Sequence, residues 1–342
     1  MPTAYLYSDR FLEHMLPGHP ERPDRLRAIM RALAATGTLA RMTPLTFDAA
    51  TLGQITSVHH PRYVETLRAL CERGGGRIDA DTFANAHSFD IARLAAGACI
   101  ALADAVQSRT VDNGIALVRP PGHHATSAQA MGFCLLNNVA IAARHLIDAH
   151  RLERVLIVDY DVHHGNGTEN IFYGDPRVLY VSTHQYPHYP GTGHWRDTGA
   201  GEGVGTTLNV PLPPGVGDAG YQFVFDELVW PFAERFRPQF VLLSAGFDAH
   251  HRDPLAEMRL SVAGYANLTR SLQQIASVFC GGKFAVVLEG GYDLDALGQG
   301  AVAVCRVLLG DADIPDPLGP SAQPEANVAD YIQQLKAFHL LV

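Results

Sequence analysis

Apolar and polar positions follow one another in blocks that predict an α/β fold with a parallel sheet. Six short segments are apolar almost throughout and rich in β-branched residues, which is typical of strands buried on both faces. Between them lie longer segments whose apolar residues recur at helical spacing. The predicted strands are GIALV (114–118), VLIVD (155–159), VLYVS (178–182), TLNVPL (207–212), FVLLSAG (240–246) and FAVVLEGG (284–291).

Strand and helix alternate to about residue 310 with no linker between them. We therefore expect one three-layer domain spanning residues 1–342, an open, mostly parallel sheet with helices on both faces. Its last part, residues 313–342, joins the Pro-rich connector PDPLGPSAQPEA to VADYIQQLKAFHLL, which is expected to form a helix packed on the domain. The other predicted helices lie at 87–109, 137–150, 221–236 and 265–279.

Composition narrows the classes of function. The formal net charge of −9 argues against a direct nucleic-acid partner. No apolar run is long enough to span a bilayer, and the first residues lack the features of a signal peptide, so no membrane partner is expected. The five cysteines are scattered and show no C-x-x-C spacing, which fits a reducing compartment. We expect a soluble, cytoplasmic protein, and the sequence leaves open whether it forms oligomers.

Polar clusters follow five of the predicted strands directly. Ligands of open parallel sheets bind beyond the carboxyl ends of the strands. Because these ends meet at one edge of the sheet, the clusters predict a single functional site there. They are RPPGHHA after GIALV, DYDVHHGNG after VLIV, STH after VLYV, GFDAHHRDP after FVLLSA, and GGYDLD after FAVVLE.

Two aspartates and one histidine in these clusters suit a metal ion. Asp161 and His163 are two residues apart, so they point to the same side of an extended segment, and Asp248 follows another strand. Ionisable groups at the end of a buried strand are costly unless they are paired or bind a metal. Three ligands that leave one position free for water and substrate are typical of a catalytic metal site.

Tandem histidines recur along the chain and are interpreted differently by their context. His123 and His124 follow RPPG, and beside a metal they suit the roles of general base and acid, because imidazole titrates near neutral pH. His59 and His60 directly precede Pro61, and both are expected at the surface.

Seven motifs, in order over nearly the whole chain, resemble the signatures of the histone deacetylase family. They match best its class II and bacterial histone deacetylase-like amidohydrolase branch. The resemblance implies an arginase–deacetylase type of open parallel sheet, which agrees with the fold class predicted from the hydrophobic pattern. The motifs are HPERPDRL, RPPGHHA, GFCLLNN, DYDVHHGNGT, PGTG, SAGFDAHHRDPL and EGGYDL.

The resemblance implies a zinc-dependent deacetylase that acts on an acylated lysine of a protein or peptide, or on a small acetylated amine. In this family a zinc-bound water attacks the amide carbonyl. By resemblance, the ligands of the one catalytic zinc are Asp161, His163 and Asp248. His124 is similar to the general base and acid, and His123 to its electrostatic partner.

A tyrosine is similar to the family's carbonyl-polarising residue. Tyr292, in the sequence GGY, resembles the tyrosine whose hydroxyl donates to the carbonyl oxygen beside the metal. The preceding Gly290 and Gly291 are expected to let this loop adjust around the substrate.

Supporting residues follow from the same resemblance. Asp159 is expected to orient His123, and together with Ser182 it resembles the family's potassium site, so a structural K⁺ is expected. Asn166 stands where class I members carry an aspartate partner for the second histidine. Class II members typically carry asparagine at this position, and it leaves His124 without a full carboxylate partner.

The substrate tunnel can be assigned by resemblance as well. Gly132 and Phe133 match the wall that grips the lysine methylenes, with Tyr189 opposite, where most relatives carry phenylalanine or tryptophan. Asp81 resembles a rim aspartate that holds the substrate backbone, and a loop cap is an equally open interpretation. Leu255 stands where polyamine-selective relatives carry glutamate. A leucine at this position favours acyl-lysine peptides as substrates. Alternatively, this leucine only packs under its loop.

Three other functions are related to this fold or chemistry. Arginases share the fold but hold two manganese ions with Asp-x-His-x-Asp, and Gly165 replaces the last carboxylate here. An acetylpolyamine amidohydrolase would perform the same chemistry on a small cationic substrate. A weakly active acyl-lysine binding module is disfavoured by Tyr292, because class IIa relatives with weak activity carry histidine there. The preferred acyl group, the natural substrate and the choice between zinc and iron in the cell stay open.

Overall fold

The computed structural model describes residues 2–341, and at its centre lies an eight-stranded sheet whose neighbouring strands are all parallel. The strands are β1 (Thr3–Leu6), β2 (Thr43–Pro44), β3 (Gly75–Arg77), β4 (Phe83–Asn85), β5 (Asn113–Ala116), β6 (Val155–Asp159), β7 (Val178–Gln185), β8 (Thr207–Leu212), β9 (Phe240–Ala245) and β10 (Phe284–Leu288). The large sheet has the order β2-β1-β5-β10-β9-β6-β7-β8, and β3 and β4 form a separate antiparallel pair.

Helices connect the strands. They are α1 (Asp24–Ala35), α2 (Leu52–Thr56), α3 (Pro61–Glu72), α4 (Ser88–Gln107), α5 (Asn138–His150), α6 (Asn166–Phe172), α7 (Asp218–Val224), α8 (Trp230–Phe236), α9 (Val262–Cys280), α10 (Leu294–Leu308) and α11 (Ala329–Phe338). A π-helical turn (Phe225–Val229) joins α7 to α8, and short 3₁₀ turns lie at Asp9–Glu13, Leu39–Arg41 and Gly201–Gly203.

The helices form two layers with the sheet between them. In the first layer α4 and α5 contact each other, and they reach strands β5, β10, β6 and β9. In the second layer α10 contacts α1 and α9, and this layer reaches β5, β9 and β10. Every residue of β6, β9 and β10 is buried, as strands covered on both faces require. The predicted α/β fold with a parallel sheet is confirmed.

Polar caps begin the helices that follow the loops at the carboxyl edge. The side chains of Asn137, Ser261 and Asp293 each accept a hydrogen bond from the backbone N–H three residues further on, at the starts of α5, α9 and α10. Each cap satisfies a backbone donor that the helix itself leaves free. The caps therefore set the point where each loop of the site ends.

The six predicted strands are present with small shifts of their ends, whereas some elements were not predicted. The hydrophobic pattern did not single out β1, which has only four residues, or the helices α1, α3 and α10. Helix α10 contains Gly298 and Gly300, which lower helix propensity. A Cβ at position 300 would lie 2.4 Å from the Phe247 ring, so close packing explains this glycine.

The C-terminal segment lies against α7 and the π turn. The Glu325 carboxylate accepts hydrogen bonds of 3.1 Å from two backbone N–H groups at the start of α7. Lys336 Nζ in α11 lies 2.7 Å from Glu227 Oε2 in the π turn. Within residues 2–341 no helix has the length and apolarity needed to cross a membrane, and the five cysteines are buried and free.

Five of the strands that carry polar ends are neighbours in the sheet. Strands β5, β10, β9, β6 and β7 lie side by side in that order. Because all of them are parallel, the five loops that follow them emerge along one continuous edge. The parallel sheet therefore brings side chains from distant parts of the chain to a single place.

Candidate active site

Three potential metal ligands converge at the carboxyl ends of β6 and β9. Suitable donor atoms of Asp161, His163 and Asp248 all lie within 4.8 Å of one another, and all three residues are buried. His163 Nδ1 lies 3.0 Å from Asp161 Oδ1 and 3.4 Å from Asp248 Oδ2. Within the described chain, Asp248 Oδ2 is buried with no hydrogen-bond donor. An unsatisfied carboxylate oxygen facing two other ligands suits a cation.

Backbone donors and glycines hold this cluster in place. Asp161 Oδ2 accepts from the Gly290 N–H at 2.8 Å, and Asp248 Oδ1 accepts from the Val162 N–H at 2.9 Å. A Cβ added at Gly246 would lie 2.1 Å from Asp161 Oδ2, and one at Gly290 would lie 2.0 Å from Asp248 Oδ2. Both glycines therefore leave the room that the carboxylates occupy.

The pKa values reflect an excess of buried negative charge in the cluster. Burial would lower the pKa of His163, but the adjacent carboxylates of Asp161 and Asp248 raise it to about 10. Burial, reinforced by the charge of Asp161, raises the pKa of Asp248. Burial would raise the pKa of Asp161 too, but the charge of His123 and hydrogen bonds from His163 lower it. Such a group of carboxylates favours a positive ion.

The tandem histidines after β5 lie beside this cluster with different partners. His123 Nδ1 is 3.0 Å from Asp159 Oδ2, and His124 Nδ1 is 2.8 Å from Asn166 Oδ1. Burial opposes protonation of His123, but the charges of Asp161 and Asp159 raise its pKa to about 10. Burial and the charges of neighbouring histidines lower the pKa of His124 well below its usual range. The different partners therefore shift the pKa values of the two adjacent rings in opposite directions.

A buried glutamate, which sequence reasoning missed, supports the histidine loop. Glu289 Oε2 accepts from the backbone N–H groups of Gly122 and His123 at 2.7 and 3.2 Å, and Oε1 accepts from the Ser244 hydroxyl at 3.0 Å. Burial raises the pKa of Glu289 to about 7. It belongs to the motif EGGYDL, and that motif was its available signal.

Hydrogen bonds from Arg25 and to Asp253 hold the loop that carries Tyr292. The Arg25 guanidinium donates to the carbonyl oxygens of Gly291 and Glu289 at 2.7 and 2.5 Å and lies 5.0 Å from the centre of the Tyr292 ring. On the other side Asp253 Oδ2 accepts from the Tyr292 N–H at 2.6 Å. Burial raises the pKa of Tyr292 well above its usual range, so its hydroxyl stays a donor.

Arg25 is itself part of a buried ion group. The Glu21 carboxylate accepts from Arg25 at 3.1 Å and from both Nε and a terminal nitrogen of Arg119, and all three side chains are fully buried. Burial would raise the pKa of Glu21, but the charges and hydrogen bonds of the two arginines lower it to about 2. Glu21 and Arg25 belong to the motif HPERPDRL. Arg119 is far from them along the chain, so the sequence does not predict its contact with Glu21.

A cavity of about 250 Å³ opens above the cluster. Gly290 and the potential ligand His163 line it, and a Cβ at Gly290 would contact the carboxylates of Asp161 and Asp248. His188 lines it too and was not predicted; its Nε2 donates to the Leu255 carbonyl at 3.0 Å. The predicted residues that line the cavity are Asp81, His123, His124, Gly132, Phe133, His163, Tyr189, Leu255 and Tyr292.

Aromatic rings form the cavity walls. The Phe133 ring lies 5.8 Å from the Tyr292 ring, and the Tyr189 ring lies 5.1 Å from the His124 ring, both nearly edge-on. Gly132 has a left-handed backbone with φ 54°, and a Cβ there would lie 2.4 Å from His124 Cδ2. The wall can approach the histidine because this position is glycine.

Asp79 and Asp81 make different contacts, and only Asp81 lines the cavity. Asp79 Oδ1 accepts from the backbone N–H groups of Asp81 and Thr82 at 3.0 and 2.6 Å, so Asp79 caps this loop. Asp81 instead lines the mouth of the cavity, and its carboxylate accepts from the Thr82 hydroxyl at 3.1 Å. Burial, with the adjacent Asp79, raises the pKa of Asp81.

Asp159 and Ser182 are directly opposite each other in the register of β6 and β7, and both are fully buried. Asp159 Oδ2 also accepts from the Tyr180 hydroxyl at 3.1 Å, and Oδ1 accepts from the Asp161 N–H at 3.2 Å. The Ser182 hydroxyl pairs with His184 Nδ1 at 2.9 Å. The two residues predicted for potassium are therefore brought together.

The expected surface position of His59 is wrong. Its side chain is 1 % exposed, because Nε2 accepts from the Asn137 N–H and Nδ1 donates to the Thr126 carbonyl, both at 2.9 Å. Burial lowers the pKa of His59 to about 4, which suits a neutral ring with one donor and one acceptor. His60 is exposed and accepts from the Arg62 N–H at the start of α3.

Known proteins resemble this chain over most of its length. A family model described as the histone deacetylase domain matches residues 19–308. Histone deacetylase 14, chloroplastic, of Arabidopsis thaliana is 41% identical over 355 residues, covering 96% of this chain and 83% of that protein. A probable deacetylase of Archaeoglobus fulgidus is 43% identical over 298 residues, covering 86% and 82%.

One further relative and one solved structure also match this chain. The human polyamine deacetylase HDAC10 is 41% identical over 98% of this chain, which spans 52% of that protein. The crystal structure of the HDA15 HD domain matches with a TM-score of 0.89 and 42% identity, over 99% of this chain and 93% of that one.

Replacing Glu21 by glutamine should destabilise the protein strongly. The change leaves two buried guanidinium groups without a carboxylate, and breaking a buried ion pair typically costs about 3–5 kcal/mol. Because the pKa of Glu21 is lowered to about 2 in the folded chain, its stabilisation is present above its unfolded pKa near 4.5 and is lost as pH falls toward 2. The gap between wild type and variant should therefore narrow below pH 4.5.

Urea unfolding at several pH values measures both effects. Glu65→Gln is the matched control, because Glu65 makes an exposed ion pair with Arg68 and should change stability very little. Equal stabilities of Glu21→Gln and wild type at pH 7 would contradict the role of Glu21.

Proposed function

The chain belongs to the histone deacetylase family, a family of amide-cleaving deacetylases, and from this premise we propose a zinc-dependent amidohydrolase that removes acetyl or other acyl groups from the ε-amine of lysine in proteins or peptides. One observation carries the proposal. A set of two carboxylates and an imidazole lies beside a neutral histidine and a protonated tyrosine, at the floor of one aromatic cavity. These are the groups that hydrolysis of an amide requires.

Asp161, His163 and Asp248 would hold the metal. Zinc accepts nitrogen and oxygen ligands, and three protein ligands leave a position for substrate and water. The unsatisfied Asp248 Oδ2 and the buried negative charge support a divalent cation here. When bound, zinc supplies a Lewis acid that polarises the carbonyl and makes a water molecule more acidic.

His124 would move the protons of the reaction. An amide oxygen can only accept, so the contact with Asn166 Oδ1 places the ring hydrogen on His124 Nδ1 and leaves Nε2 free as a base. Burial and the charges of nearby histidines lower the pKa of His124, which keeps the resting ring unprotonated. After the attack it can return that proton to the leaving amine.

Two other side chains would stabilise charge. Tyr292 stays protonated, and its hydroxyl would donate to the carbonyl oxygen as negative charge develops there. His123, protonated and paired with Asp159, supplies a fixed positive charge beside the reacting groups. Asp159 with Ser182 offers carboxylate and hydroxyl oxygens for a structural potassium ion, which we include in the proposal.

The cavity suits an acyl-lysine chain. Phe133 and Tyr189 offer aromatic walls to the four methylenes, and Asp81 at the mouth can accept hydrogen bonds from the peptide backbone. Leu255 at the same mouth is partly exposed and apolar, which favours a neutral peptide backbone over a distal ammonium group. A polyamine substrate is the second candidate, since one relative is described as a polyamine deacetylase.

A reducing compartment suits the five buried, unpaired cysteines, and we propose the cytoplasm as the location. Two relatives are described as chloroplastic.

Removing a metal ligand should remove metal and activity together. Asp161→Ala and Asp248→Ala each take away one of three ligands, and both should lose the zinc of the active site and deacetylation. Metal analysis and an acetyl-lysine peptide assay on the same sample measure this. Asp295→Ala is the control, because Asp295 is exposed at the start of α10. This variant should keep one zinc at the active site. Survival of activity in either ligand variant would contradict the proposal.

Tyr292→Phe should retain metal and substrate affinity yet lower kcat by about a hundredfold or more, because the lost hydroxyl acts mainly on the developing oxyanion. Steady-state kinetics with an acetyl-lysine peptide give kcat and KM separately. Tyr189→Phe removes a hydroxyl from the same cavity and should change kcat little. An unchanged kcat for Tyr292→Phe would assign this tyrosine another role.

Leu255→Glu should shift preference toward acetylpolyamines. A carboxylate at the mouth can attract a distal ammonium group, and such a pair could change selectivity by about 1–3 kcal/mol, roughly ten- to a hundredfold. The ratio of kcat/KM for an acetyl-lysine peptide and acetylspermidine decides it, with Leu255→Gln as the uncharged control. Wild-type preference for acetylspermidine would overturn the lysine assignment, and an unmoved ratio would remove Leu255 from the specificity site.

A further inference from the structure

Two histidines and an aspartate converge far from the active site. Asp104 Oδ1 lies 2.8 Å from His145 Nε2 and 2.6 Å from His150 Nε2. Asp104 is in the last turn of α4, and His150 is the last residue of α5. These helices lead into the amino ends of β5 and β6, so the group lies toward the edge of the sheet opposite the catalytic loops.

Helical spacing alone does not predict this convergence. His145 and His150 are five residues apart, which on a regular helix separates them by about 140°. Their rings nevertheless lie 5.6 Å apart, and both Nε2 atoms face the same carboxylate oxygen from the neighbouring helix. All three donor atoms lie within 4.8 Å of one another. The arrangement gathers three ligands from two packed helices.

We propose that Asp104, His145 and His150 form a second divalent-metal site, separate from the catalytic one. Two imidazoles and one carboxylate are a ligand set for zinc and similar transition metals, whereas magnesium and calcium prefer oxygen ligands alone. The side chains are 44 %, 16 % and 29 % exposed, so an ion can enter and keep water in its remaining positions.

Metal binding requires only a small adjustment. Without an ion, both Nε2–H groups donate to the same oxygen. When a metal binds, each Nε2 gives up its hydrogen, which moves to Nδ1 of the same ring or leaves as a proton to solvent, and the Nε2 lone pair faces the ion. Ligand atoms around tetrahedral zinc, with bonds of about 2.0–2.1 Å, are roughly 3.3 Å apart. The contacts of 2.8 and 2.6 Å must therefore lengthen by about 0.5 and about 0.7 Å, which partly exposed side chains at the ends of two helices can accommodate. The bound ion would then join α4 to α5.

The experiment is a titration of the protein with Zn²⁺ alone, in a buffer without chelator. Wild type should bind one ion at this site in addition to any ion at the catalytic residues, and added Zn²⁺ should raise its melting temperature. His145→Gln and His150→Gln each remove one ligand, so the affinity for this ion should fall at least about tenfold. The metal-dependent rise in melting temperature should be smaller in both variants than in wild type, because only the catalytic residues still bind an ion.

Two controls separate this site from the catalytic one and from general histidine loss. Asp161→Ala should lose the catalytic ion but keep the ion held by His145 and His150. His87→Gln alters an exposed histidine elsewhere and should bind like wild type. Absence of an additional ion in wild type would overturn the proposal. So would an unchanged affinity in both histidine variants whose melting curves without metal match that of wild type.

Discussion

The concentration of buried negative charge at the carboxyl edge of the sheet is the constraint on which the site depends. Asp159, Asp161, Asp248 and Glu289 are all fully buried there. Isolated carboxylates would not stay ionised in such a place, because desolvation costs more than the fold can offset. Cationic histidines and directed backbone N–H groups supply part of the compensation. The unsatisfied Asp248 Oδ2 marks where a metal would supply the rest.

The same constraint explains the scaffold around the site. A tyrosine can serve as a fixed donor only if its loop is rigid, and the loop before Tyr292 consists of two glycines. Arg25 supplies the rigidity by holding two carbonyl oxygens of that loop, and Glu21 neutralises Arg25 while also binding Arg119. The N-terminal region thus contributes to the site through a buried ion group.

Sequence patterns predicted the parallel sheet and the location of the site, because near-continuous apolar strands and polar strand ends are local signals. They did not predict α10, whose glycines obscure its helical character, or the buried position of His59, since adjacent histidines before a proline are ordinarily exposed. The contact of Glu21 with Arg119 joins residues 98 positions apart, and no local pattern can show it. Glu21 and Glu289 lie within two of the family motifs, but the resemblance did not single out either residue or the groups they contact.

The two adjacent histidines show how different partners give two buried rings opposite pKa shifts. His123 and His124 have rings only 4.0 Å apart and are both buried, so burial alone would make both neutral. The partner of the His123 ring is the carboxylate of Asp159, whereas the partner of the His124 ring is only the amide oxygen of Asn166. The charge on the first ring then disfavours protonation of the second. An aspartate at position 166 would raise the pKa of His124, so the asparagine at this position keeps the pKa values of the two rings apart.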